Sequence, residues 1–398
     1  MSLSILWFAI VAFFWTGFFV LEGFDFGVGA LHGFVGRTDL ERRVAINTIG
    51  PVWDGNEVWL VVAGASMFAA FPGWYASWFS ALYLALWLVL AALIVRGVSV
   101  EFRGKSDRVG WRNGWSRALT AGSVLAPFLF GVGLGDLLAG LPIDADGNFT
   151  GSFLDLLTPY GLLLGATLLV LCLVHGATFL GLRTTGVVVE RAEAVARRLA
   201  IPAVALVTAV MVWTYVIARP PLWAVIVLAV PPAASAAAAK IILGVGSGEA
   251  RRAASGGTAF ATTAVSIGGV VAALFAALYP DVLRSSTTEQ YSLTVSGTAA
   301  GSYSLQVITV VAAVMLPLVL LYQGWTYFVF RRRLIGPPVR STADAGTTTG
   351  VTAAAVAASK AAATTGAGTA ASRTATSETG ASGSGAADRP SGPAQQGN

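Results

Sequence analysis

Long apolar runs dominate this chain and leave few folds open to it. Stretches long enough to cross the hydrocarbon of a bilayer, about 20 residues each, lie at residues 4–30, 51–71, 75–98, 116–139, 157–181, 199–218, 222–244, 257–279 and 304–330. In hydrocarbon every backbone N–H and C=O must be satisfied within the segment, so such runs are helices. The pattern predicts an all-α polytopic membrane protein with nine transmembrane helices, spread over residues 1–335. Composition agrees: 55% of the residues are hydrophobic and 11% charged, against roughly 25% charged in soluble domains. The run at 222–244 holds Pro231-Pro232 in mid-span. It is retained because membrane helices tolerate proline when neighbours take up the freed backbone groups.

The basic residues sort with this count. If the first loop is cytoplasmic, Arg37, Arg42, Arg43, then Arg96, Arg103, Lys105, Arg108, Arg112 and Arg117, and the later clusters up to Arg331, Arg332 and Arg333 fall on that side. Only Arg219 and Arg284 fall on the other. The positive-inside rule then puts the N-terminus outside and the C-terminus in the cytoplasm. The net charge of +5 is dispersed between apolar runs, with no basic face to bind nucleic acid. The single Cys172 can form no internal disulfide and no cysteine-based metal site. Met1 to Ser4 lack the basic flank of a signal peptide, so the first run is expected to be retained. Residues 336–398, rich in Ala, Thr, Gly and Ser, are expected to be a disordered cytoplasmic tail.

Against this background, acids inside the runs stand out. Glu22 and Asp25 lie in the inner half of the first run, Asp54 and Glu57 in the first turns of the second, so all four are expected at one depth. Ionisable groups in a bilayer mark function by default. Glu22, Asp25, Gly29 and His32 are spaced along one helical face. The small residues Gly23, Gly27, Gly29 and Gly33 suggest a tight contact between the first two helices. Burial beside like charges suits groups that hold and release protons, and proton relay is the sharper expectation. The plainer alternatives are a helix-capping role for Asp54 after Pro51, a bond from Asp25 to the turn after it or to Arg43, and partly hydrated interface residues at Glu22 and Glu57. Asn56 and His175 are auxiliary polar candidates; His175 could carry protons, bind metal or simply pack through hydrogen bonds. His32 and His175 are the only histidines, too few to ligate several haems. No phosphate-cradling loop, nucleophile elbow or paired-metal motif is present.

At these residues the sequence resembles subunit II of the cytochrome bd quinol oxidases. The resemblance rests on Gly23-Phe24-Asp25-Phe26-Gly27-Val28-Gly29, Glu41-Arg42-Arg43 with Asn47, Pro51 to Leu60, Trp111-Arg112-Asn113, and Gly176-Ala177-Thr178 with Leu182-Arg183-Thr184. It implies two four-helix bundles, helices 1 to 4 and 6 to 9, with the fifth helix peripheral. It implies a partner, subunit I, that carries two b-type haems and haem d and oxidises quinol at the outer surface. This chain would then be the haem-free subunit of a terminal oxidase reducing oxygen to water. By the same resemblance, Asp25 and Asp54 deliver cytoplasmic protons, while Trp59 lies by an apolar oxygen passage. Relatives can carry a histidine where Val52 stands and an amide where Glu57 stands, so Glu57 and Glu22 are local additions to the route. A quinone in this subunit and a small single-helix accessory subunit are left open. The rival reading is a proton- or sodium-coupled secondary transporter, with broken helices around a midplane site; a third is a purely structural subunit.

Overall fold

The computed structural model describes residues 2–244, 249–330, 333 and 334, leaving aside the side chains of 249–254. The chain divides into one compact unit, Met1–Pro338, and a second, Val339–Asn398; the predicted tail, 336–398, lies outside the described residues. The compact unit is helical: α1 Leu3–Val35, α2 Asp39–Asn47, α3 Trp53–Ala70, α4 Pro72–Ala81, α5 Tyr83–Phe102, α6 Val109–Ala139, α7 Pro159–Arg183, α8 Val187–Ala218, α9 Leu222–Gly244, α10 Glu249–Leu278 and α11 Ser302–Val329. A short antiparallel pair, β1 Asp281–Leu283 with β2 Leu293–Thr294, closes the loop before α11. Eight of these helices are long and apolar enough to cross a membrane. Trp53–Ala70 is not among them; Asp54, Asn56 and Glu57 occupy its first turns.

Several boundaries depart from the apolar runs, each for a local reason. The run at 75–98 becomes two helices. Phe71, non-helical at φ −137°, ψ 66° before Pro72, ends α3 and lets the proline open α4, and Leu82 at φ −90°, ψ 9° separates α4 from α5. The loop expected after α1 contains α2, closed by a reciprocal cap between Thr38 and Glu41. α8 begins 12 residues before the predicted 199, because its first turns carry Glu190, Arg191, Glu193 and Arg197, which apolarity alone passes over. Pro231 and Pro232 sit within the continuous α9, the first pyrrolidine ring resting on Gly269 of α10. The proline pair therefore gives no broken helix of the kind a transporter site would use.

The fifth predicted span is not peripheral. α7 packs on α1, α6, α8 and α10, and 67% of its apolar window is buried, against 6% for α11. Glycines explain its place. A Cβ on Gly27 would lie 2.0 Å from the Cys172 carbonyl oxygen, and one on Gly176 would lie 2.5 Å from Gly27 Cα. Gly131 with Gly165 and Gly135 with Gly161 bring α6 against α7 in the same way. The small residues of α1 thus serve mainly α6, α7 and α10, not the expected contact with the second helix. That contact, α1 with α3, is made instead by the Trp59 indole lying on Gly17.

Candidate functional site

The C-terminal half of α1, the start of α3 and the end of α5 meet at one end of the bundle, and the polar residues concentrate there. Glu22 and Asp25 are fully buried on α1. Glu22 Oε1 lies 2.5 Å from Arg96 Nη1, in an ion contact whose angles are not those of a hydrogen bond. Arg96 is itself fully buried and lies 4.9 Å from the centre of the Phe26 ring. Glu57, three-quarters buried, approaches the same guanidinium at 3.7 Å. Sequence reasoning placed Arg96 with the cytoplasmic loop; it is a core residue, and the one cation in this cluster.

Asp25 is held by neither partner of the plainer alternative, the turn after it or Arg43, but by Asn56. Asn56 donates its amide to Asp25 Oδ2 at 2.6 Å and to the Leu21 carbonyl at 3.3 Å. Its own oxygen accepts from Gln323 Nε2 at 2.9 Å and from the Tyr327 hydroxyl at 2.7 Å. Asn56 is therefore a saturated hub, tying the buried acid on α1 to α11. The two α11 residues were missed; the signal was present as isolated polar side chains in the last apolar run.

Asp54 does not join this cluster. It is exposed, on the opposite side of α3 from Asn56, and α3 has no side-chain cap at its N-terminus. Of the four acids expected at one depth, Glu22, Asp25 and the rim residue Glu57 gather around Arg96, while Asp54 faces outward.

Three carboxyl groups facing one guanidinium cannot all stay charged in a dry core, so the surplus must be met by protons, water or another cation. Glu22 and Asp25 lie within hydrogen-bonding reach of each other, and His32 Nε2 is buried with no hydrogen-bond partner among the described residues. His32 Nδ1 bonds the Gly29 carbonyl at 2.7 Å, and Ser123 Oγ, also unpartnered, packs on Gly29. Gly122 beside it contacts Arg96. Unpartnered polar atoms of His32 and Ser123 thus lie on the same stretch of α1 and α6 as the buried acids and Arg96.

His175 lies elsewhere in the core. Its two ring nitrogens pair with Thr263 Oγ1 at 2.8 Å and the Val20 carbonyl at 3.1 Å, and the ring stacks on Phe260 at 4.5 Å. With both nitrogens engaged it is not disposed to ligate haem, and no group of three His, Cys, Asp or Glu among the described residues could hold a metal ion. Trp59 is buried against Gly17, edge-on to Phe13 and Phe14. Its neighbours Leu60, Val61 and Gly64 line an apolar cavity of about 500 Å³ between α3, α4 and α5, which Trp59 itself does not touch. Asp136, absent from the sequence reading, is a second buried acid at the far end of α6, bonded to Thr158 at 2.7 Å.

Outside the membrane-spanning helices, α2 is pinned by Glu41. Its Oε2 accepts from the Arg37 amide at 2.7 Å, the Thr38 amide at 3.2 Å and Arg191 Nη1 at 2.7 Å. Partial burial raises its pKa, but these donors outweigh it and hold the carboxyl below the usual value of 4.5.

Comparison with known proteins shows the family of the chain. The family model described as cytochrome bd terminal oxidase subunit II matches residues 3–330. A Bacillus subtilis protein named cytochrome bd ubiquinol oxidase subunit 2 is 40% identical over 344 residues, 84% of this chain and 97% of that one. An Escherichia coli K12 protein named cytochrome bd-I ubiquinol oxidase subunit 2 is 35% identical over 354 residues, 82% and 93% of the two chains. A chain in a structure of bd oxidase from Geobacillus thermodenitrificans superposes with a TM-score of 0.63 at 19% identity, covering 83% of this chain and 99% of its own.

Proposed function

Because the chain belongs to the cytochrome bd terminal oxidase subunit II family, we propose that it is the haem-free subunit of a quinol:oxygen oxidoreductase and delivers cytoplasmic protons to its partner. Subunit I, in this reading, holds the b-type haems and haem d, which supply the electron transfer and the reduction of oxygen. This chain's own residues hold and move protons. The carrying observation is the buried group of Glu22, Asp25 and Glu57 around the single Arg96. Its carboxyl groups outnumber its cation, and Glu22 and Asp25 lie close enough to share a hydrogen bond. Protons taken up past His32 and Ser123 reach Asp25, with Glu22 and Glu57 setting the local field through Arg96.

Asp54 belongs to the onward path. It shares the exposed side of α3 with Val58 and Val61, and an ionisable group does not face lipid without cost. This side of α3 therefore meets subunit I, and Asp54 hands protons across the interface. Counting α3, the chain crosses the bacterial plasma membrane nine times, N-terminus outside and C-terminus in the cytoplasm. Charge separation follows from geometry: quinol releases its protons outside, while oxygen reduction consumes protons from inside. The oxygen passage uses the cavity side of α3, with Trp59 packed behind it. Nothing in the fold favours the transporter alternative.

The test is Asp25→Asn in the purified two-subunit complex, a substitution that keeps an acceptor for Asn56. Quinol-driven oxygen consumption should fall roughly 100-fold, the scale of a lost proton-transfer group, with the haem spectrum unchanged. Normal turnover together with normal proton uptake would remove Asp25 from the route.

A further inference from the structure

The segments around Arg43 and Arg112 take no part in the proton site, yet they converge. Arg43, Ile46 and Asn47 of α2, Val100 of α5, and Arg103, Gly104, Asp107 and Arg112 around the turn from α5 to α6 enclose a polar cavity of about 270 Å³. It lies at the turn between α5 and α6, two helices long and apolar enough to cross a membrane. Its walls are built and fixed. Arg103, 4% exposed, is held by Ser116 Oγ at 2.8 Å and Asp39 Oδ1 at 2.5 Å. Arg112 is held by Asp39 Oδ2 and the Ser106 carbonyl, at 3.0 and 3.1 Å, and by Asp107. Arg42 braces α2 against α6 by donating to Asn113 Oδ1 at 3.1 Å.

The third cavity guanidinium, Arg43, is exposed, and its side chain makes no ion pair or hydrogen bond with a described residue. Arg43, Arg103 and Arg112 face the two carboxylates Asp39 and Asp107, so 3 − 2 leaves one surplus positive charge. Beside the cavity Phe102, Val109 and Trp111 present apolar surface outward, 45%, 72% and 40% exposed. One unpaired guanidinium beside a cavity wall fixed by Arg103 and Arg112, next to exposed apolar side chains, is complementary to a phosphodiester carrying acyl chains.

We propose that this cavity binds the headgroup phosphate of an anionic phospholipid, with Arg43 as the primary contact, Asn47 donating alongside it, and the acyl chains running over Phe102, Val109 and Trp111. The site is independent of the proton route, and its failure would leave that reading untouched. Native mass spectrometry of the intact two-subunit complex, delipidated and titrated with phosphatidylglycerol or phosphatidylcholine, tests it. Wild type should retain phosphatidylglycerol in preference to phosphatidylcholine, and Arg43→Gln should weaken that retention about tenfold, as expected for losing a charge-assisted contact. Arg37→Gln removes the same charge from the same loop away from the cavity and should change retention by less than about twofold. Equal retention by wild type and Arg43→Gln, or equal losses in both variants, would overturn the site. Displacement of the lipid by millimolar inorganic phosphate would make the ligand a free anion and also defeat the proposal, as would failure of the wild type to hold phosphatidylglycerol because subunit I fills the cavity. Arg43 makes no ion pair or hydrogen bond with another described residue, so the variant complex should assemble with an unchanged unfolding temperature.

Discussion

Two charged networks occupy the same end of this bundle and are built on opposite rules. In the inner one, around Glu22, Asp25 and Glu57, carboxyl groups exceed guanidinium groups, and several polar atoms lack protein partners. In the outer one, Asp39, Glu41 and Asp107 are each paired with a guanidinium of Arg103, Arg112 or Arg191, and Asp39 and Glu41 each hold more than one donor. Both sets come from the same few residue types. What differs is the solvent left to them: the outer network can borrow water, so its ion pairs serve to fix α2 and the α5–α6 turn. The inner one cannot, so an acid there must share its charge with something that comes and goes.

The largest test of this contrast is Arg96. Arg96→Met strips the inner acids of their only cation and should destabilise the complex by about 3–5 kcal/mol, the cost of orphaning one member of a buried pair. The double change Glu22→Gln with Arg96→Met should recover most of that loss, because removing both charges removes the need for pairing. Thermal unfolding of the purified complex reads both; a double variant as unstable as the single one would mean that Arg96 matters through packing on Phe26 instead.

A smaller effect is expected at Glu41. Glu41→Gln loses the charge on three hydrogen bonds and should cost about 1–3 kcal/mol at neutral pH. Because the folded state holds this carboxyl below its usual value of 4.5, its contribution is fully present above the unfolded pKa and is lost as pH falls through the lower folded one. The gap between wild type and Glu41→Gln should therefore close on acidification below about pH 4.5, and a gap that stays constant with pH would contradict the assignment. The smallest stability change belongs to Asp54. Exposed and without a cap bond, its replacement by Asn should shift stability by less than about 0.5 kcal/mol while slowing proton uptake. A large stability loss with normal uptake would return Asp54 to a structural role.

The apolar runs made the helices legible, and acids within them pointed to α1 and α3, since a charged side chain in hydrocarbon is visible against its neighbours. Facing was harder. Asp54 and Asn56 are two residues apart, and only the rotation of α3 decides that Asn56 turns inward. Arg96 was masked by its own usefulness: near a run's end it counts toward orientation, and nothing in linear sequence separates a loop arginine from one drawn back to Glu22. α2 escaped because it is polar and short, although Thr38 followed three residues later by Glu41 carries the signature of a capped start. The central position of α7 rests on glycine pairs distributed over three helices, a pattern that becomes meaningful only once the helices are placed.

The hub at Asn56 also sets an order of events during synthesis. Asp25 emerges from the ribosome among the first helical residues, but two of the four hydrogen bonds that saturate its partner come from Gln323 and Tyr327. Until the last helix is inserted, the amide oxygen of Asn56 waits in the bilayer with its donors still untranslated. The polar centre is thus finished by nearly the last residues of the membrane domain, so a chain truncated before Gln323 would leave that hub incomplete.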